Sequence, residues 1–158
     1  MTSRDAIPEL NGGVVDATLM PLLAEALAAE GLPVEDLDGE GRNFFAFRDR
    51  AGALVGFAGM EIFGGDALLR SLIVLPPVRE RTYGTAIAEW MMAEAARRGV
   101  RMLFLLTTTA APFFAKLGFH RIDRKAVPAA IAATREFAAL CPTTAVCMMK
   151  ALVPPAQS

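Results

Sequence analysis

Two apolar runs, Ala53 to Phe63 and Asp66 to Leu75, constrain this chain more than any other feature. Gly64 and Gly65 stand between them, and a two-glycine step between such runs predicts a tight β-hairpin. Neither run alternates cleanly between apolar and polar residues. Strands that are apolar on both sides need cover on both faces, so the hairpin is expected at the centre of a sheet with other elements above and below it. With 158 residues, 54% of them hydrophobic, the chain has material for one such core and is too apolar to be disordered.

The flanking segments supply the cover. Leu19, Leu22, Leu23, Ala26 and Leu27 recur at helical spacing, which predicts a first helix from about Thr18 to Glu30, ended by Gly31 and Pro33. The acidic stretch Pro33 to Gly41 reads as a loop. The aromatic run Asn43 to Arg48 reads as a strand, with a turn over Asp49 to Gly52. A second helix is expected from Gly84 to Arg98, burying Ile87, Trp90, Met91 and Ala95 and stopping at Gly99. A buried strand, Val100 to Thr107, follows. Then come a short helix, Ala111 to Leu117, stopped by Gly118, and a short strand within Phe119 to Asp123. A third helix spans Pro128 to Leu140 with proline in its first turn, and the strand Thr143 to Leu152 closes the sheet. A further strand is expected near Ile7. A hairpin followed by crossovers of the β–α–β kind predicts an α/β or α+β sandwich forming a single domain over residues 1–152, with Val153 to Ser158 as a tail.

Charge and cysteine usage exclude several classes. The formal net charge is −1, so no broad basic surface invites nucleic acid or anionic lipid. Apolar runs are interrupted by Arg, Glu, Gly or Pro before they reach a membrane span, and the N-terminus has no signal-peptide core. Cys141 and Cys147 match no common disulfide or zinc framework. The expectation is a reduced, cytoplasmic protein without a metal.

The segment from Leu72 to Ala86 carries the chemistry. A buried strand stops at Pro76 and Pro77. A short basic loop with Arg79 and Arg81 follows, and Gly84 and Thr85 open an amphipathic helix. Amide groups at a helix start, the positive end of its dipole and nearby arginines favour a phosphate, and glycine lets the backbone approach it. The alternative is an ordinary solvated turn. Neither a Walker loop nor a dinucleotide-binding glycine fingerprint is present.

This segment resembles motif A of the GNAT N-acetyltransferases, and Phe113 to Phe119 resembles their motif B. Aligned through Gly84, Arg79 takes the first motif position, while Thr82 stands where a glycine is usual and Glu80 replaces another. A shifted match from Arg81 through Gly84 to Ala86 also fits. The resemblance implies a mixed, mostly antiparallel sheet flanked by helices, with a splayed strand pair, and acetyl-CoA as cosubstrate. It implies that the backbone of Ile73, Val74 and Leu75 aligns pantetheine in the splay. It also implies that Arg79, Arg81, Thr82, Tyr83, Gly84 and Thr85 surround the pyrophosphate, with Phe114 and Lys116 contributing from motif B. Phe114 occupies the position of a tyrosine that protonates the leaving thiolate in many members. The runs Leu69 to Leu72, Leu106 to Ala110, Ala133 to Ala138, and Leu140 to Pro142 with Ala145 to Met148, are similar to bacterial arsenic-resistance N-acetyltransferase homologues. That branch implies a small anionic, amino-acid-like or arsenic-containing acceptor.

Glu61 and Arg70 each interrupt an apolar run. A two-residue turn at Gly64 and Gly65 pairs Glu61 with Leu68 and Gly59 with Arg70, so Glu61 and Arg70 share a face as diagonal neighbours. A three-residue turn puts them on opposite faces. They then serve either as the proton acceptor (Glu61) and anion clamp (Arg70) of an acceptor site, or as a structural salt bridge. Thr107 is a candidate catalytic hydroxyl, and Thr108 and Thr109 candidate lining groups, set against strand-end and capping roles. Arg135 and Cys141 are weaker substrate-binding candidates, against an exposed pair and a buried apolar cysteine. The partner expected is a small-molecule amine. A homodimer through terminal strands fits the apolar run Ala145 to Met149. Acetylation of a peptide or protein amine and a non-catalytic acyl-CoA or metalloid sensor are the competing readings.

Overall fold

The computed structural model describes residues 9–29, 42–75, 82–134, 137 and 145–152. In chain order the elements are β1 (Asn11–Val14), α1 (Met20–Ala29), β2 (Arg42–Arg48), β3 (Leu54–Phe63), β4 (Asp66–Val74), α2 (Tyr83–Arg97), β5 (Met102–Thr107), α3 (Ala111–Lys116), β6 (His120–Arg121), a 3₁₀ turn (Arg124–Ala126), α4 (Ala129–Ala132) and β7 (Val146–Ala151). The strands form one mixed sheet in the order β1-β2-β3-β4-β5-β7-β6.

The predicted hairpin lies at its centre. Phe63 pairs with Asp66 across a two-residue turn. Gly64 takes φ +67°, which a residue with a Cβ rarely adopts there. β1, β2 and β3 are antiparallel neighbours, and β7 runs antiparallel to both β5 and β6. Among the described strands only β4 and β5 pair in parallel, joined by α2 as the crossover that a parallel pair requires.

Strand periodicity sends alternate side chains to two separate cores. One face carries Phe45, Val55, Ala58, Met60, Leu69, Leu103 and Leu105 against Tyr83, Ile87, Met91 and Ala95 of α2 and Phe114 of α3. On the other face α1 covers one half, where Leu23 and Leu27 meet Phe44, Ala46, Phe57 and Ile73. The 3₁₀–α4 region covers the other half, where Val127, Ile131 and Phe137 meet Leu68, Phe104, Leu106 and Cys147. Trp90 is half-buried as a lid on β2, with its ring 5.1 Å from those of both Phe45 and Phe47. Gly99, at φ +90°, follows the last turn of α2 as the sequence predicts.

Two expectations about the third helix need adjusting. The third helix does not run unbroken from Pro128: α4 stops at Ala132, and the Thr134 hydroxyl donates to the Ile131 carbonyl at 2.7 Å, giving the last turn a local partner that competes with continued helix. Pro128 sits at the N-cap, one position outside the helix. The first described strand is Asn11–Val14, whereas the strand expected near Ile7, the acidic loop and the tail beyond Leu152 fall outside the described residues, as do 135–136 and 138–144.

Candidate functional site

The sheet opens between its two central strands. The β4–β5 ladder holds three residue pairs, Asp66 with Met102, Ala67 with Leu103 and Leu68 with Phe104. β4 continues to Val74 along β3, and β5 continues to Thr107 along β7, each paired on its outer side. Past Leu68 the facing edges therefore separate. A bulge lies at the opening. Gly59 pairs with Arg70 and Phe57 with Ile73, so Ser71 and Leu72 of β4 stand opposite the single residue Ala58. An extra residue in one strand bends it and increases its twist, and this accounts for β4 leaving β5 where it does.

The upper end of the opening is bounded by α2 and α3. Thr82 occupies the N-cap of α2 and is exposed, and the first turn of the helix carries no acidic residue. The amides of Tyr83, Gly84 and Thr85 lie in that turn, where a helix has no internal acceptors to offer them. A Cβ built on Gly84 would lie 3.5 Å from Phe113 Cζ and 3.7 Å from Val74 Cγ2. Gly84 thus joins the end of β4, the start of α2 and the flank of α3. Tyr83 turns its ring into the core, so only its backbone faces this end. Ile73 is buried, while Val74 and Leu75 are half-buried.

On the sheet face opposite α2, Arg70 Nη1 donates to Glu61 Oε2 at 2.8 Å. The side chains retain only 1% and 4% of their exposure, so the two charges balance each other out of contact with bulk water. Glu61 pairs with Leu68 and Arg70 with Gly59 in the register set by the two-residue turn. Leu68 is the last residue bonded to β5, so the ion pair stands at the apex of the opening. The Arg70 guanidinium also lies 5.4 Å from the ring centroid of Phe44.

The remaining sequence-derived candidates separate by position. Thr107, at the end of β5, is buried, and its Oγ1 accepts from the Ala110 amide at 2.9 Å, ordering the turn into α3. Thr108 and Thr109 are exposed in that turn. Phe114 is buried between Phe113 and Phe119, with ring centroids 4.9 Å and 5.6 Å away in edge-to-face contacts, so it packs the core and offers no proton. Lys116 is exposed on a groove of 440 Å³ along Glu89, Met92, Ala93 and Ala96 of α2, beyond the first turn of that helix. Arg79, Arg81, Arg135 and Cys141 lie outside the described residues. Cys147 faces the apolar cluster under α4, and burial pushes its thiol up from 9.0 to about 11, with Arg124 pulling down and Asp123 pushing up more weakly. Among the described residues no group of three or more His, Cys, Asp or Glu converges as a metal site, and no helix is long and apolar enough to cross a membrane.

Sequence reasoning missed Phe44 and Gly59. A glycine inside an apolar strand signals a close approach by another group, and here that group is the Phe44 ring, 2.6 Å from where a Gly59 Cβ would stand.

The family model described as an acetyltransferase (GNAT) domain matches residues 40–121, just over half of the chain. An uncharacterized N-acetyltransferase of Chlorobaculum tepidum is 28% identical over 123 residues, covering 75% of this chain and 78% of that protein. Among solved structures, N-acetylglutamate synthase of Neisseria gonorrhoeae, complexed with coenzyme A and N-acetyl-glutamate, superposes with a TM-score of 0.76 at 18% identity. It covers 92% of this chain but only 35% of its own length, so this chain spans about a third of that synthase. The ribosomal-protein-S18-alanine N-acetyltransferase of Escherichia coli superposes with a TM-score of 0.68 at 18% identity, covering 95% of this chain and 98% of that one.

Proposed function

The chain belongs to the GNAT acetyltransferase family, and from that premise we propose that it moves the acetyl group of acetyl-CoA onto the nitrogen of a small amine. The observation that carries this reading is the opening between β4 and β5, with the start of α2 at one end and a buried Glu61–Arg70 pair at its apex. The gonococcal synthase was solved with coenzyme A, which supports the same class of cosubstrate here.

In this reading the thioester arm lies along the open edge of β4, aligned by the backbone of Ile73, Val74 and Leu75. The first-turn amides of Tyr83, Gly84 and Thr85, the Thr82 hydroxyl, and Arg79 and Arg81 hold the pyrophosphate, which suits a helix whose first turn carries no acidic residue. The acceptor nitrogen attacks the thioester carbonyl carbon, the carbon–sulfur bond breaks, and the product is an N-acetylated amine and CoA. The amine proton passes to Glu61, directly or through water. The thiolate takes a proton that originates in solvent and is relayed by the Thr107 hydroxyl, which is reprotonated in the same step, because Phe114 has none to give. General acid–base assistance of this kind contributes typically about 10²–10⁴-fold.

Arg70 favours an acceptor that carries an acid group, in line with the resemblance to arsenic-resistance homologues and an amino-acid-like or arsenic-containing substrate. Thr108, Thr109, Arg135 and Cys141 are the further contacts proposed for it. Lys116 remains a cofactor contact only if CoA extends along the groove beside α2. The Escherichia coli neighbour is named for acetylating a ribosomal protein, so a peptide amine is the competing acceptor. The discriminating experiment is a CoA-release screen of small amines against N-terminal peptides. Faster turnover of peptides would replace the small-amine reading. Acetyl-CoA binding with no turnover of either would leave a sensor of acyl-CoA.

A further inference from the structure

Phe44 belongs to none of the roles above, yet its ring lies against Arg70 of the buried charge pair. Phe44, Gly59 and Arg70 are mutual partners in a row across β2, β3 and β4. The Phe44 ring occupies the space beside Gly59. A Cβ built there would sit 2.6, 2.7 and 3.3 Å from Cε1, Cδ1 and Cζ of that ring, so any side chain at this position would force the ring to shift. The ring then continues to the Arg70 guanidinium, 5.4 Å from its centroid, and Arg70 is held on its other side by Glu61. Phe44 is 4% exposed and packs with Leu23, Leu27 and Phe57 beneath α1.

Glycine in a strand interior weakens the strand, and Gly59 is the position whose empty side-chain space lies next to the ion pair. A borrowed phenyl ring fills that space. The ring forms a wall between the Glu61–Arg70 pair and the apolar cluster under α1. Without it, a space of about a phenyl group's volume would open beside the Arg70 guanidinium.

We propose that Phe44 determines which acceptors fit, by closing the sheet face over Gly59 so that only acceptors with small side chains reach Glu61 and Arg70. This rests on the acceptor site assigned to that pair. Arg70 is held by the face of the ring, so Phe44 also fixes where the guanidinium meets a substrate acid group.

The test compares wild type with Phe44→Ala, which empties the space, and with Phe44→Leu, which keeps most of the volume. Each variant is checked for cooperative thermal unfolding and for a stabilising shift with acetyl-CoA. CoA release is then measured over the common L-amino acids and their decarboxylated amines. Phe44→Ala is expected to raise kcat/KM for acceptors with phenyl-sized side chains about tenfold or more relative to small ones, the size of change that filling or emptying a pocket produces. Phe44→Leu is expected to keep the wild-type ranking, with an unchanged KM for acetyl-CoA. A folded, cofactor-binding Phe44→Ala protein that ranks acceptors as wild type does would overturn the proposal while leaving the acceptor site in place. Wild type and Phe44→Ala both inactive on the whole panel, with acetyl-CoA binding intact, would remove the acceptor site and the proposal together.

Discussion

Arg70 and Glu61 make a 2.8 Å ion pair on adjacent central strands, with Leu68 and Gly59 as their cross-strand partners and almost no exposure to water. Removing one member of such a pair leaves a buried charge without its counter-ion, which costs about 3–5 kcal/mol, whereas replacing both by apolar residues is often neutral. Glu61→Gln and Arg70→Met are therefore each expected to lower stability by about 3 kcal/mol in urea unfolding, and Glu61→Met with Arg70→Met to recover most of it. Activity separates structure from function. The double variant is expected to be folded and inactive. A folded double variant with wild-type kcat/KM would mean that the pair serves the sheet alone.

Thr107 gives a second handle. Its Oγ1 accepts from the Ala110 amide, so Thr107→Val should cost about 1 kcal/mol through the lost bond, and Thr107→Ser should restore it. If the hydroxyl also protonates the leaving thiolate, kcat falls in the valine variant and returns in the serine variant, while KM for acetyl-CoA stays constant. An unchanged kcat in Thr107→Val would confine the residue to ordering the turn.

Cys147 predicts a pH dependence. Its thiol titrates near 11 in the folded protein against 9.0 when unfolded, chiefly because burial disfavours the thiolate. The folded state then holds the proton more tightly, so the contribution is complete below pH 9 and is lost as pH rises towards 11. At about 1.4 kcal/mol for each pH unit, the loss reaches at most roughly 2–3 kcal/mol. Unfolding curves for wild type and Cys147→Ala should converge across that window. The thiol should also resist alkylation at neutral pH until the protein unfolds, and rapid labelling of the native state would contradict its burial.

Much of this was legible in the residues, for identifiable reasons. The hairpin register follows from the two glycines, and with it the shared face of Glu61 and Arg70, because strand periodicity leaves no freedom once the turn length is set. The ends of α2 and α3 follow from Gly99 and Gly118, whose positive φ angles stop a helix. What escaped was non-local. The bulge at Ser71 and Leu72 has no signature in composition, since it is defined by Ala58 on another strand. The Phe44 ring over Gly59 likewise needs the register of β2 against β3. The break after α4 was hidden because Ala-rich helical propensity continues past Thr134, whose hydroxyl competes locally for the Ile131 carbonyl.

Cofactor binding should register as stability. In the proposed site acetyl-CoA would bridge the start of α2 and the open edge of β4 in the folded chain alone, and at a hundredfold excess over Kd such linkage adds about 2.7 kcal/mol. Tm is expected to rise by several degrees, and Arg79→Ala to weaken that rise without lowering the Tm of the free protein.

The most direct measurement is amine-dependent release of CoA thiol from acetyl-CoA, with mass detection of the acetylated acceptor. The account predicts that at least one small amine releases CoA above the rate of spontaneous hydrolysis, in equal amount to its N-acetylated product, and that Glu61→Gln lowers this kcat/KM by about a hundredfold or more. Release that is independent of any amine, or equal in wild type and Glu61→Gln, would contradict it.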